Sequence, residues 1–206
     1  KLMPLSHHKK CLVEMKDLSL GYEDGKNVLD KISFQLMQEE ILFLAGENGC
    51  GKSTLIKAIL RAADAEETSD VSKIYTSGTL EVASGLVISY VSQDTSGLTG
   101  SLKDFAKARD LDYSLFLTLL KKLDMNRVQF EKNIEEYSEG QKKKVLIAAS
   151  LLTKAHLYIW DEPLNYIDIF SRMQIEKLIE TYRPTMIMVE HDERFREKLA
   201  DKVLDL

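Results

Sequence analysis

Apolar and polar residues along the chain follow two spacings, one typical of strands and one typical of helices. The segments "CLVEMKDLSL" and "VLDKISFQLM" alternate or cluster apolar residues as strands do, and "EILFLA" (residues 40–45) has the composition of a short buried strand. The polar residues 64–78 predict a loop or weakly ordered excursion. The segment that follows, "TLEVASGLVISYVSQ", predicts a hairpin of two strands.

Helical spacing takes over after the first apolar run and again in the second half. "KSTLIKAILRAA" is helical, and so are residues 101–138, where one face carries Leu115, Phe116, Leu119, Leu120 and Leu123. We expect this face to pack within its own helical subdomain, although it could also dock a partner. From residue 139 onward helices alternate with strands, which predicts a largely parallel sheet covered by helices.

Length, charge and cysteine content narrow the class of protein. The 206 residues suffice for one domain, and the net charge of −5 argues against a protein that coats nucleic acid. Cys11 and Cys50 have no metal or redox spacing, which favours a reducing, cytoplasmic setting. No apolar run approaches a membrane span, the start lacks a signal core, and Lys1 suggests a piece of a longer chain. We interpret His7 and His8 as a solvated tail.

The segment "GENGCGKST", residues 46–54, matches the phosphate-loop pattern G-x-x-x-x-G-K-[ST] between a predicted strand and a predicted helix. Glycines let successive backbone N–H groups turn toward one phosphate, and the helix adds its positive end. Lys52 would reach the β- and γ-phosphates, and Ser53 would offer its hydroxyl to Mg²⁺. A glycine-rich turn without a ligand is the alternative, which this context disfavours.

Two adjacent carboxylates follow the buried strand in "LYIWDEPLNYID". If that strand ends at the same sheet edge as the phosphate loop, Asp161 would hold Mg²⁺, and Glu162 would polarise the attacking water. Acids at a helix N-terminus are the alternative, but that would not explain the preceding apolar run.

The segment "YSEGQKKKVLIAASLL" begins with Ser138 and Gln141 in the S-x-x-Q spacing of a capping box. Lys142, Lys143 and Lys144 then crowd the first helical turn, where exposed cations cost roughly 0.3–1 kcal/mol each. An anion approaching this helix start would offset that cost.

These motifs, in this order, resemble the ATP-binding-cassette (ABC) family over essentially the whole chain. Gln93 in "YVSQD" looks like its Q-loop glutamine, a contact for Mg²⁺ and water, and His191 in "MVEHD" looks like its switch histidine at the γ-phosphate. Asp161 and Glu162 match the metal-site aspartate and the catalytic glutamate. The resemblance implies a P-loop NTPase fold with a mostly parallel core sheet, an antiparallel β-subdomain and a helical subdomain. It also implies ATP and Mg²⁺ as cofactors.

The resemblance assigns roles to further residues. Tyr22 in "LSLGYEDG" lies where the family stacks an aromatic on adenine, although a core role is nearly as plausible. Ser138, Gly140 and Gln141 match the signature motif, which binds the γ-phosphate held by a partner cassette. Asp168 matches the aspartate of the D-loop, the segment after the catalytic glutamate, at the dimer seam. The residues expected to bind the phosphates are Gly46, Asn48, Gly49, Cys50, Gly51, Lys52, Ser53 and Thr54.

The implied organisation is one nucleotide-binding domain over residues 1–206, with a core of 1–98 and 139–206 and a helical subdomain of 99–138. It would belong to a tandem two-cassette protein, and alone it would hydrolyse ATP weakly. The chain departs from the family at Glu139, which replaces the first of two signature glycines. A carboxylate there could lie near a phosphate and weaken the ATP site that this motif completes on a partner cassette, or it could favour the helix dipole and point away.

Other stretches are similar to one subfamily. Asn165 and Tyr166 in "EPLNYID", together with "EHDERF", resemble ABC-F proteins, tandem ATPases that act on ribosomes. "QKKKVLIAASLL" and "PTMIMVEHD" resemble their antibiotic-resistance members, which protect the ribosome. Contact with the ribosome would then run through a linker and a first cassette, without membrane insertion. The alternative is the nucleotide-binding subunit of a membrane transporter, against which the short polar segment 94–112 argues.

Overall fold

The computed structural model describes residues 4–22, 27–64 and 74–206, which form eight strands and six α-helices. The strands are β1 (Cys11–Tyr22), β2 (Asn27–Met37), β3 (Ile41–Ala45), β4 (Ile74–Val82), β5 (Ile88–Val91), β6 (Leu157–Asp161), β7 (Met186–Val189) and β8 (Lys202–Asp205). The helices are α1 (Lys52–Ala62), α2 (Leu102–Ala108), α3 (Tyr113–Lys122), α4 (Glu139–Leu152), α5 (Ile169–Tyr182) and α6 (Glu193–Leu199). Two short 3-10 turns, Arg127–Glu131 and Ile134–Glu136, lie between α3 and α4.

A five-stranded parallel sheet in the order β5-β6-β7-β3-β8 forms the centre of the fold. Its inner strands are apolar up to Asp161 at the end of β6, because both faces of the sheet are covered. Phe43 and Trp160 face α2 to α6, whereas Leu42 and Ile159 face α1 and the second sheet. Because these strands are parallel, the carboxyl ends of β3, β6 and β7 lie at one edge of the sheet, where the functional side chains lie.

The second sheet is antiparallel, in the order β2-β1-β4, and it corrects two predictions. The predicted hairpin is wrong, because β4 pairs with β1 while β5 joins the parallel sheet beside β6. Of the predicted loop, residues 65–73 lie outside the described part of the chain, and residues 74–78 begin β4. The first half of that strand resembles a loop in sequence because residues 75–78 are all exposed and three of them, Thr76, Ser77 and Gly78, are polar or small.

The apolar face predicted for residues 115–123 packs largely into the core of the chain. Phe116, Leu120 and Leu123 are fully buried and Leu119 is partly buried, whereas Leu115 is half exposed. The α2–α3 region thus joins the hydrophobic cluster on one face of the parallel sheet. In residues 4–22, 27–64 and 74–206, no helix combines the length and the apolar character needed to cross a bilayer.

The segment before β1 lies against the fold, so the solvated-tail prediction is wrong for His7. The His7 backbone N–H donates to the Gln38 side chain (2.8 Å), which in turn donates to the His7 carbonyl (2.8 Å). The His7 ring contacts that of His156 edge-on, and the Leu5 N–H donates to the Ala155 carbonyl (2.8 Å). His8 is exposed and lies beside His7.

Candidate nucleotide site

The phosphate-loop segment connects β3 to α1 and lines a cleft of about 510 Å³. Gly46 has φ 134°, and a Cβ there would come within 2.6 Å of the Leu206 carbonyl oxygen. Gly51 has φ 107° at the N-cap of α1, and a Cβ there would press on Val28 and Leu29. Both positions need glycine, because the left-handed conformation and the close neighbours exclude other residues.

Helix α1 begins without a side-chain N-cap, unlike the other five described α-helices. Ser101, Asp112, Ser138, Asp168 and Asp192 each accept a hydrogen bond from the first turn of their own helix. At α1, by contrast, the first-turn residues Lys52, Ser53 and Thr54 line the cleft, and N–H groups of a first turn point toward the helix start with the dipole behind them. Such a start is suited to an anion.

Lys52 is buried and bends over the phosphate loop. Its Nζ donates to the carbonyl oxygens of Gly46 (2.9 Å) and Glu47 (2.8 Å) and lies 3.5 Å from Cys50 Sγ. Because these partners are neutral, the ammonium charge is left for an incoming phosphate. Asn48, Gly49, Ser53 and Thr54 also line the cleft.

Asp161 ends β6 and is buried beside Ser53, whose hydroxyl donates to Asp161 Oδ2 (3.3 Å). Burial, followed by the neighbouring charge of Glu162, raises the pKa of Asp161, while Ser53, Lys143 and Lys52 oppose that rise. A bound cation would reverse the cost of this buried charge. A hydroxyl and a single carboxylate fit Mg²⁺, which keeps several of its waters. The described residues contain no cluster of three His, Cys, Asp or Glu side chains that could enclose a metal.

Glu162 is the centre of a hydrogen-bonded group of side chains. Gln93 Nε2 (2.8 Å) and Asn165 Nδ2 (2.7 Å) both donate to its Oε2, and His191 Nε2 lies 3.4 Å from its Oε1. The structure therefore brings together Gln93, Glu162 and His191 from the ends of β5, β6 and β7. The Glu162 side chain retains only 16% of its possible exposure, whereas that of His191 retains 51%.

Tyr22 lies at the mouth of the same cleft, at the end of β1. It is partly exposed, and its hydroxyl is 3.0 Å from Thr54 Oγ1. It is not a core residue, so its ring is accessible to a nucleotide base. Its stacking role stays a prediction.

The signature residues Ser138, Gly140 and Gln141 lie outside the lining of this cleft. Ser138 and Gln141 form the predicted capping box, with the Ser138 hydroxyl accepting from the Gln141 N–H (3.3 Å) and the Gln141 side chain accepting from the Ser138 N–H (3.1 Å). Gly140 packs against the backbone of Tyr166, where a Cβ would collide with the Tyr166 carbonyl oxygen.

The three lysines after the signature have partners within the chain, so no external anion is needed to explain them. Lys142 pairs with Glu139 (3.0 Å). Lys143 is buried and donates to the Ser92 carbonyl (2.9 Å), and burial lowers its pKa against the opposing charges of Asp161 and Glu162. Lys144 is buried and forms a 2.6 Å ion pair with Asp168.

Glu139 and Asp168 are both held by hydrogen bonds. The Glu139 carboxylate accepts from the Thr95 hydroxyl and from Lys142, and these bonds hold its pKa below the usual range. It therefore faces the segment after Gln93. Burial would raise the pKa of Asp168, but the bonds from Lys144 and Ser171 outweigh it and hold that pKa far below the usual range.

Sequence reasoning missed two contacts of this site. Asn165 was interpreted only as a subfamily marker, although its side chain contacts Glu162. Lys143 is grouped with its neighbours in the sequence, although of the three lysines it is the one that donates to Ser92 and whose pKa the charges of Asp161 and Glu162 act on. The spacing of Asn165, three residues after Glu162 within a tight turn, is the signal that could have suggested its contact.

Comparison with known proteins agrees with this geometry. The sequence pattern of the ABC transporter family matches residues 29–165, and the chain belongs to that family. A solved structure, "Structure of ATP binding subunit of ABC transporter", superposes with a TM-score of 0.69 at 25% identity, over 95% of this chain and 85% of that one. The predicted fold, the P-loop NTPase fold of ABC ATPases, is confirmed.

Two curated relatives differ in how much of their length the chain covers. The "Putative ATP-binding protein YdiF" of Bacillus subtilis is 29% identical over 95% of this chain, which spans only 29% of YdiF. The "High-affinity zinc uptake system ATP-binding protein ZnuC" of the same organism is 31% identical over 95% of this chain, which spans 90% of ZnuC. A similar cassette is therefore a small part of one relative, YdiF, and almost the whole of another, ZnuC.

Proposed function

We propose that this chain is a cassette that binds and hydrolyses ATP. The observation that carries the proposal is the uncapped start of α1 beside the charge of Lys52, in a cleft that also holds Glu162. The first-turn N–H groups and Lys52 would bind the phosphates, and Tyr22 would contact the base.

The chemistry would divide between the two carboxylates. Asp161 and Ser53, with Gln93 nearby, would hold Mg²⁺, which when bound neutralises charge on the phosphate oxygens. Glu162 would accept the proton of the attacking water, and His191 would contact the γ-phosphate. Ser138, Gly140 and Gln141 lie outside this cleft, so we propose that they contact the nucleotide of a second cassette.

We further propose that the natural protein is an ABC-F ATPase that acts on the ribosome, with antibiotic resistance by ribosomal protection as its role. The Asn165–Tyr166 pair and the "EHDERF" segment support this reading. The relation to YdiF, of which the chain spans under a third, supports a cassette within a much longer protein. The second cassette, a linker and the ribosome would then be its partners.

A second candidate is the nucleotide-binding subunit of a membrane transporter. The identity with ZnuC over nearly all of that protein favours it. Both candidates share the ATP site. They differ in the target of the closed, ATP-bound form, which is the ribosome in the first and a membrane protein in the second.

The test uses the full-length natural protein with Glu162→Gln and the matching change in any second cassette. This variant keeps shape and hydrogen bonding but lacks the base, so hydrolysis should slow by about 10²–10⁴-fold while ATP binding persists. The ATP-bound form would accumulate, and with it the target complex. Fractionated extracts should show the variant on ribosomes with ATP and off them without it.

The matched control is the wild-type protein under the same two conditions. Near-normal hydrolysis by Glu162→Gln would show that the base is assigned to the wrong residue. A variant that sediments with membranes and stays off ribosomes, with or without ATP, would establish the transporter reading instead.

A further inference from the structure

The two oxygens of the Glu162 carboxylate have different surroundings. Oε2 accepts from Gln93 Nε2 at 2.8 Å and from Asn165 Nδ2 at 2.7 Å, whereas the one polar partner of Oε1 among the described residues is the His191 ring nitrogen at 3.4 Å. A carboxylate offers about four acceptor positions, two on each oxygen. Oε2 is therefore fully used by the two amides, and Oε1 is the oxygen left to take a proton.

We infer that Asn165 is a positioning residue: it anchors Oε2 of Glu162 so that Oε1 is presented as the base. This inference rests on the proposed ATP hydrolysis and deepens it. The Asn165 amide is neutral and donates through Nδ2, so it fixes the carboxylate without adding charge to the site.

Of the two amides that bind Oε2, we expect that of Asn165 to keep its hydrogen bond throughout the reaction. In the proposed reaction the Gln93 side chain also contacts Mg²⁺ and water, and it is exposed on the segment after β5. A Gln93 amide that turns toward those groups leaves Oε2 with Asn165 alone. Asn165 is partly buried and lies only three residues from Glu162, so its bond does not depend on that movement.

The turn that carries Asn165 is itself fixed. Tyr166, the next residue, has φ 64°, and its carbonyl oxygen packs directly on Gly140 at the start of α4. On the other side, the Ile167 N–H donates to the Leu164 carbonyl (3.1 Å), which closes the turn. A donor on a fixed turn holds its acceptor within a narrow range, and a displacement of about 1 Å at a reacting group costs up to ~10²-fold in rate.

The test compares Asn165 variants in the full-length protein, with any second cassette left unchanged so that differences arise at this site. Asn165→Leu keeps the volume and removes the donor, and Asn165→Asp keeps the shape but places a second negative charge beside Oε2. Single-turnover hydrolysis reports the chemical step, and equilibrium binding of ATP reports affinity. We expect both variants to slow hydrolysis by about 10–100-fold with ATP affinity changed less than about threefold.

A second arm separates positioning from a purely structural role. In a Glu162→Gln background the base is absent, so adding Asn165→Leu should change the residual rate little, as coupled residues do in a double-mutant cycle. Asn126→Leu, at the cap of a 3-10 turn outside the cleft, is the matched control and should leave hydrolysis unchanged.

Three outcomes would overturn the inference: an Asn165→Leu rate equal to wild type, a loss of rate matched by an equal loss of ATP affinity, or a further full loss of rate in the Glu162→Gln background. A wild-type protein that binds ATP and never hydrolyses it would instead overturn the proposed function on which the inference rests.

Discussion

Asp161 and Glu162 are neighbours in sequence, but their side chains differ in burial and in hydrogen-bond partners. Asp161 is the last residue of a strand whose five residues are all buried. Glu162 continues the sheet through its N–H to the Val189 carbonyl (2.9 Å), yet its φ is 48°. A left-handed conformation at a residue other than glycine costs about 1–3 kcal/mol and persists only where the surroundings hold it. Both carboxylates line the cleft, but the left-handed residue directs that of Glu162 toward Gln93 and Asn165 while that of Asp161 stays beside Ser53.

Cys50 gives a direct probe of the phosphate loop. Its thiol is partly exposed and lies 3.5 Å from Lys52 Nζ, inside the loop proposed to surround the phosphates. A thiol reagent should therefore block ATP binding, and bound ATP should slow the modification at least several-fold. Mass spectrometry of the labelled peptide gives the rate, and Cys11, which lies in β1 and not in the phosphate loop, is the internal control. Equal labelling of Cys50 with and without nucleotide would contradict the placement of the loop.

Residue-level prediction from sequence succeeded where a motif fixes both type and spacing. Lys52, Ser53, Asp161 and Glu162 were predicted to meet at one sheet edge, and the structure brings them to one cleft. The contact of Lys143 with Ser92 was not predictable, because the two residues are 51 positions apart and only the fold brings them together. Neighbouring lysines of identical type thus have three different partners.

At the scale of elements, the first turn of α4 is the place where several loops meet. Thr95 donates to Glu139, Lys143 holds Ser92, and Tyr166 packs on Gly140. The segments that carry Gln93 and Asn165, whose amides bind Glu162, therefore both contact the start of α4. A change in the position of α4 would reach the Glu162 carboxylate through two routes.

Gly140→Ala tests this packing. The added Cβ would meet a backbone carbonyl, which cannot move aside as a flexible side chain can, so we expect a loss of about 1–3 kcal/mol in the free energy of unfolding. Gly97→Ala is the matched control, since a Cβ there has no neighbour within 4 Å, and it should change stability by less than about 0.5 kcal/mol. Denaturant unfolding compares the two, and equal stabilities would show that Tyr166 does not rest on Gly140.

The positions of β4 and β5 in the sequence were predicted better than the strands with which they pair. The pattern located β4 approximately and β5 closely, because alternation is local, but it joined them into a hairpin. The actual partners are β1 and β6, which lie far away in sequence, and no local signal distinguishes a hairpin from two separate sheets. Helix α1 was predicted closely because its apolar spacing is local, whereas the segment predicted as helical over 101–138 contains only α2, α3 and two 3-10 turns.

At the scale of the whole molecule, the cleft and the signature residues are separate surfaces. The cleft holds groups for phosphate and base, whereas Ser138, Gly140 and Gln141 lie outside it. The chain alone should therefore bind Mg-ATP and hydrolyse it slowly, with a rate per cassette that rises with protein concentration. Steady-state hydrolysis over a range of concentrations measures this. A concentration-independent rate as high as that of the full-length protein would contradict the need for a second cassette.

The position of β3 also has a consequence for how the protein is made. β3 lies between β7 and β8, and its Ile41 N–H bonds to Asp201, 160 residues later in the sequence. A ribosome therefore synthesises β3 long before either neighbouring strand. Until β7 and β8 have been made, the apolar residues of β3 have no strand to pair with. Gly46, directly after β3, packs on the carbonyl of Leu206, so this contact of the phosphate loop forms only after that residue has been added. An apolar strand without its partners can pair with the strands of other nascent chains, so β3 needs shielding until β7 and β8 have been synthesised.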